Sequence, residues 1–192
     1  MLIIAVTGMP GSGKSTVSQG LSRELRAPLF VMGDIVREEV VRRGLPLTAE
    51  NVELVATELR SKYGRGAVGK LLYDRLKGLS SEYVVVDGLR SPEEVEILRS
   101  LAPTCVVAVH AAPSIRLSRY LARGRKGESV DSFSLRERKN LEYGIGEVIA
   151  EADYMVINEG GLEDLLRAVK GLAEAIKGGE WKSRCGSPGK AH

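Results

Sequence analysis

The chain has 192 residues, 43% of them hydrophobic and 28% charged, which supports one globular domain with a packed core and leaves little room for a second. The formal charge is only +3 and aromatics make up 5%, so the basic stripe with interleaved aromatics of a nucleic-acid binder is missing. No apolar run approaches the roughly 20 residues that cross a bilayer. The two cysteines, Cys105 in an apolar run and Cys185 in a polar tail, have no metal-type spacing and point to a reducing cytoplasm without a disulfide framework.

Residues 2–6 are an unbroken apolar run, read as a strand buried on both faces. Thr7-Gly8 follows too soon for a secretory leader, and no basic segment precedes the run. Gly8-Met9-Pro10-Gly11-Ser12-Gly13-Lys14-Ser15-Thr16 then fits the pattern G-x-x-x-x-G-K-[ST], with Val17, Leu21 and Leu25 on one face of a helix behind it. Strand, glycine loop and helix in that order make a phosphate cradle. The glycines let consecutive N–H groups turn inward on a β-phosphate, and the helix adds its positive end. Lys14 would reach the β- and γ-phosphates, while the Ser15 hydroxyl would go to Mg²⁺. The loop therefore predicts ATP with Mg²⁺. The Asn-Lys-x-Asp and Asp-x-x-Gly motifs of a GTPase are both absent from the sequence.

A second strand is read at 28–31 and a third at 83–86. About fifty residues lie between them, far more than one crossover helix needs. Residues 33–80 are therefore expected to form an inserted subdomain of two or three helices. In one of them Thr48 is the N-cap, Leu47 and Val52 form a hydrophobic staple, and Val52, Val55 and Leu59 share a face. The third strand runs into Asp87. Ser91-Pro92-Glu93-Glu94 then supplies an N-cap, a proline at the first helical position and a capping-box glutamate. A fourth strand covers 105–109 and ends at His110, read as structural.

Residues 116–139 are rich in arginine. Arg116, Arg119 and Arg123 share one helix face, and Arg125, Lys126, Arg136 and Arg138 follow across a glycine-containing loop. So much like charge predicts an anionic partner. A fifth strand at 154–157 precedes a last helix carrying Leu162, Leu165, Leu166, Val169 and Leu172. Residues 178–192 lack periodicity and read as a disordered tail. No internal repeat is found. Buried strands alternating with helices predict an α/β fold, a parallel sheet with helices on both sides, as one domain over 1–177.

These segments resemble the nucleoside monophosphate kinase branch of P-loop proteins, adenylate and cytidylate kinases included. Met32-Gly33-Asp34-Ile35-Val36-Arg37, followed by Gly44, is similar to the stretch whose arginine holds the acceptor's phosphate. Val84-Val85-Val86-Asp87-Gly88-Leu89-Arg90 is similar to the segment with a Walker B-like aspartate and a second phosphate-binding arginine. The arginine-rich stretch resembles the lid of those enzymes. Residues 136–150, running into Ala152-Asp153-Tyr154-Met155-Val156-Ile157-Asn158-Glu159, look like the signature of an archaeal group related to adenylate kinase and dephospho-coenzyme A kinase. There are two departures: the spacing from Asp87-Gly88 to Arg90 is one residue shorter than in adenylate kinases, and Met32 stands where those enzymes usually have a hydroxyl residue.

The resemblance implies a P-loop fold with a five-stranded parallel sheet of order 2-3-1-4-5, a helical acceptor-binding insert and a lid. It implies transfer of the γ-phosphoryl group of ATP to a small nucleotide acceptor such as a nucleoside monophosphate. The expected catalytic residues are Lys14, Asp34, Arg119 and Arg123. Arg37 and Arg90 would clamp the acceptor phosphate with two guanidinium forks, and Ser15 with Asp87 would hold the metal. Asp34 is either a helix cap or a base. A phosphate oxygen needs no base, whereas a hydroxyl acceptor, as in dephospho-coenzyme A, gains from a carboxylate that takes its proton. A third alternative is a regulator that binds ATP and transfers nothing. Partners are expected to be small nucleotides, not a membrane or nucleic acid.

Overall fold

The computed structural model describes residues 1–124 and 127–185. Strand β1 (Leu2–Thr7) is buried at every position, which is why its sequence shows no polar–apolar alternation. Ile3 and Ala5 face one core, and Leu2, Ile4 and Val6 face the other. The other strands are β2 (Leu29–Val31), β3 (Tyr83–Leu89), β4 (Thr104–His110) and β5 (Tyr154–Ile157). They pair in parallel in the order β2-β3-β1-β4-β5, as expected. Val6 pairs with Asp87 on one side and Val107 on the other. The residues that follow β1 and β3 therefore emerge side by side on one rim.

Helices α1 (Lys14–Leu25) and α9 (Leu162–Lys177) cover one face of the sheet. The other face carries α2 (Met32–Arg42), α3 (Ala49–Tyr63), α4 (Ala67–Leu76), α5 (Pro92–Leu101) and the short α8 (Ile145–Ala150). The insert expected at 33–80 thus holds three helices, α2 beginning directly after β2. Val40, Val55, Val68, Leu72 and Leu76 are fully buried in the main core. Each contributes roughly 1.5–3 kcal/mol, so the insert is part of that core. Thr48 caps α3 by accepting from the Asn51 N–H (3.2 Å), and Ser91 caps α5 by accepting from the Glu94 N–H (3.3 Å). Helices α6 (Pro113–Ala122) and α7 (Val130–Glu142) fill the long connection between β4 and β5.

The chain end differs from expectation. Residues 178–185 are not a structureless tail: they form a turn and a one-turn helix, α10 (Trp181–Arg184). Cys185 is buried and joined to Cys105 of β4 by a disulfide, with the two Cα atoms 4.8 Å apart, and Trp181 packs on the same core. Eighty residues of separation leave no spacing signal for this pairing. Only packing of α9 along the sheet brings the two cysteines together. Residues 186–192, and Arg125 and Lys126 of the arginine-rich stretch, lie outside the described residues. Among the described residues no helix is long and apolar enough to cross a membrane.

Candidate active site

The loop between β1 and α1 requires glycine at three positions, Gly8, Gly11 and Gly13. Gly11 has φ +81°, and a Cβ there would stand 2.3 Å from the Arg116 carbonyl oxygen. Gly13 has φ +94°, and a Cβ there would stand 2.3 Å from Asn158 Nδ2. That amide donates to the Ser12 carbonyl (2.7 Å), and the Ser12 N–H donates to the Met9 carbonyl (3.1 Å). Gly13 is the N-cap of α1 without a side-chain cap, and the first turn of the helix has no acid. Its positive end is left for an anion from outside the chain.

Beyond this loop opens a cleft of about 490 Å³. Gly8, Pro10 and Lys14 line it from the phosphate loop, Gly33 and Arg37 from α2, and Gly88 and Arg90 from the end of β3. Leu47, Thr48, Val52 and Glu53 of the insert form one wall. Tyr120, Arg123, Glu128, Arg136 and Lys139 form the opposite one. Burial holds the Lys14 ammonium below the usual lysine range; Asp87 opposes this, and Arg90, Arg123 and Arg136 add to it. Burial likewise lowers the Arg90 guanidinium, with Arg60 adding its repulsion. Lys14, Arg90 and Arg123 have no hydrogen bond or ion pair to their side chains among the described residues. Arg136 lies 5.6 Å over the Tyr120 ring, and Lys139 is paired with Glu53 at 3.0 Å. Cations that converge on one cleft can bind a polyanion and spread charge over a phosphoryl group in transfer.

Several residues singled out in the sequence therefore meet in one place: Gly8, Pro10, Lys14, Arg37, Arg90 and Arg123. Met9, Gly11, Ser12, Gly13, Ser15 and Thr16 complete the loop without lining this cleft. Asp87, whose charge acts on Lys14, is buried to 4% exposure, and its Oδ1 has no hydrogen-bond partner among the described residues. Ser15, the second residue of α1, is exposed.

Other residues go elsewhere. Arg119 points away from the cleft and donates to the carbonyls of Asn158 (2.8 Å) and Gly160 (3.4 Å). Arg116 is buried, donating to the carbonyls of Ala111 (2.9 Å) and Pro10 (3.3 Å) and pairing with Glu137. It braces the loop from behind. Asp34 is ion-paired with Arg37, exposed, and outside the cleft lining. His110 gives its carbonyl to the Asn158 N–H (2.7 Å), and no cluster of potential metal ligands is found among the described residues. Sequence reasoning missed Glu53, Lys139 and Arg60; it read Glu94 as a capping-box glutamate and Asn158 as part of the family signature, without the contacts they make to Arg90 and the phosphate loop. Arg136 and Lys139 of α7, with Tyr143 at its C-cap, stand at i, i+3 and i+7 and carried a signal, since that spacing puts all three on one face.

Residues 7–134 match the family model of the AAA domain. A UPF0200 protein of Aeropyrum pernix is 48% identical over 182 residues, covering 93% of this chain and 96% of the relative. One of Methanocaldococcus jannaschii is 38% identical over 182 residues, covering 92% and 91%. The chain belongs to the UPF0200 family. This bears out the archaeal group that residues 136–159 resemble. Among solved structures, TT1252 from Thermus thermophilus superposes with a TM-score of 0.62 at 24% identity over 91% of this chain and 97% of that one. A shikimate kinase from Bacteroides thetaiotaomicron gives 0.61 at 18% identity over 92% and 98%. A gluconokinase from Sinorhizobium meliloti gives 0.57 at 23% identity over 94% and 95%. At these identities the likeness establishes the fold of the P-loop kinases.

Proposed function

We propose that this family member is an ATP-dependent phosphotransferase that moves the γ-phosphoryl group onto a small phosphate-bearing nucleotide, a nucleoside monophosphate in the simplest case. The observation that carries this reading is the convergence on one cleft of Lys14, Arg90 and Arg123, whose side chains have no hydrogen bond or ion pair among the described residues. The backbone of residues 8–16 binds the donor's phosphates. Lys14 bridges to the γ-phosphate, and Arg123 and Arg136 neutralise charge as it spreads onto the equatorial oxygens. Arg90 and Arg37 hold the acceptor in line, so most of the acceleration is positioning.

The residues fit a magnesium ion: Asp87 Oδ1 is a buried oxygen in need of a donor or cation, and Ser15 supplies a hydroxyl. When bound, the ion draws charge from the β- and γ-phosphates. Asp34 bears on the acceptor. It is tied to Arg37 and lies off the cleft wall, so Asp34 is not in place to act as the base for a hydroxyl acceptor, which fits an already anionic phosphate oxygen.

The test is ADP release from ATP with adenosine, cytidine, guanosine and uridine monophosphates, the matching nucleosides and dephospho-coenzyme A, each with and without a chelator. Acceleration by a monophosphate that the chelator abolishes is expected. Acceleration by hydroxyl acceptors alone would give the reaction to the dephospho-coenzyme A type. No acceleration by any acceptor would leave a regulator that only binds ATP.

A further inference from the structure

The peptide plane between Leu89 and Arg90 is held at both ends by buried side chains. Its carbonyl accepts from Thr7 Oγ1 at 2.8 Å, and its N–H donates to Glu94 Oε2 at 2.8 Å. Thr7 and Glu94 are both 0% exposed. Thr7 is the last residue of β1, directly before the phosphate loop. Glu94 is the third residue of α5, where a capping-box glutamate normally reaches back to the N-cap N–H. Here its carboxylate passes Ser91 and takes the N–H of Arg90 instead. The other carboxylate oxygen accepts from Arg60 Nη2 at 3.1 Å, and the Arg60 guanidinium lies 4.5 Å over the Tyr143 ring. Arg60 is buried by this arrangement and is not itself a cleft residue.

We infer that Thr7 and Glu94, with Arg60 as the counter-ion of Glu94, are positioning residues that set Arg90 at a fixed offset from the phosphate loop. A buried ion pair adds little net stability over an apolar pair of the same shape, so stability alone gives no reason for Arg60 and Glu94. Their geometry supplies one. The plane they pin is the root of the Arg90 side chain, and that side chain enters the cleft with no hydrogen bond of its own among the described residues. A long side chain with no partner of its own is aimed by its backbone. Thr7 ties that backbone to the strand that carries the donor site, so donor and acceptor sites share one ruler. This rests on the reading of Arg90 as an acceptor clamp.

The test uses Thr7→Val, which removes one hydroxyl at constant shape, Glu94→Gln, and each of them combined with Arg90→Ala. Should Glu94→Gln fold poorly, Arg60→Met/Glu94→Gln removes both charges and takes its place. With a nucleoside monophosphate that the wild type turns over, each variant should raise the acceptor KM roughly tenfold, the loss of one well-aligned hydrogen bond, with ATP KM changed less than twofold. In the Arg90→Ala background neither should raise it further. Equal rises in both KM values, or additive effects with Arg90→Ala, would mean a structural role only and overturn the inference. If the wild type turns over none of the monophosphates, the proposed function falls, and amide hydrogen exchange decides the inference. Faster exchange at Arg90 alone in Thr7→Val and Glu94→Gln supports it, and an unchanged rate overturns it.

Discussion

At the scale of single residues, the proposed donor site gives separate roles to Lys14 and Asp87. Lys14 is held below its usual range by burial and by three neighbouring arginines, with Asp87 as its compensating charge. An ammonium kept at that cost is matched to a polyanion. Lys14→Ala should lower kcat by about 10²–10³ and leave a folded protein that still binds ATP through the loop backbone, read by turnover beside a nucleotide-binding titration. Asp87→Asn keeps the shape and removes the charge; turnover should fall roughly 10- to 100-fold, with a higher Mg²⁺ concentration needed for half-maximal rate. An Asn variant with unchanged Mg²⁺ dependence would place the metal elsewhere. Both residues were legible in the sequence because their chemistry depends on local context, a loop pattern and a strand end. Arg116 and Arg119 were not. Their spacing shows that they share a helix face, but which way that face points depends on how α6 packs on the loop and on β5.

At the scale of elements, the helical insert and the arginine-rich stretch are joined by side-chain contacts. Lys139 of α7 pairs with Glu53 of α3, and Tyr143, just past α7, reaches both Glu53 (3.5 Å) and Thr57 (3.4 Å). None of this was readable from the sequence, since each contact joins residues more than eighty positions apart. The helices themselves were readable, because caps such as Thr48 and Ser91 act within one turn. Helix α2 is joined to α3 through Glu39. Its carboxylate takes Arg42 and Arg43, and Arg43 continues to Glu58. The hydrogen bond from Arg42 leads in holding Glu39 at about 2, below its ordinary 4.5. A depressed carboxyl stabilises the fold above its unfolded value, and that contribution is lost as pH falls from about 4.5 towards 2. The full shift would amount to about 3 kcal/mol. Arg42 is 74% exposed, so screening leaves about 1–2 kcal/mol. Glu39→Gln should be less stable than wild type by that amount at pH 7, and urea melts of the two proteins should converge as pH approaches 2. A gap that persists at pH 2 would assign the loss to packing.

At the scale of the whole molecule, the order β2-β3-β1-β4-β5 was available from the succession of buried runs together with the family resemblance, because parallel strands between helices have few ways to wind. The closure of the chain end was not available. Residues 178–185 are glycine-rich and polar, with no periodic face to announce a helix, yet they carry the one cysteine that meets Cys105. A bond across eighty residues removes a large loop from the unfolded ensemble, worth about 4 kcal/mol in the chain-entropy account. It also secures α10 and Trp181 over the core beneath α1 and α9. Cys105 sits near the start of β4, whereas the phosphate loop and Arg90 sit past the ends of β1 and β3, so stability and catalysis should separate. Reduction by dithiothreitol, or the Cys105→Ser/Cys185→Ser pair, should lower the melting temperature by about 10 °C. The same treatment should expose Trp181, seen as a red-shifted emission, and leave nucleotide affinity within twofold at 25 °C. A melting temperature that does not move, in protein shown by mass to be reduced, would mean that packing of α9 alone holds the chain end in place.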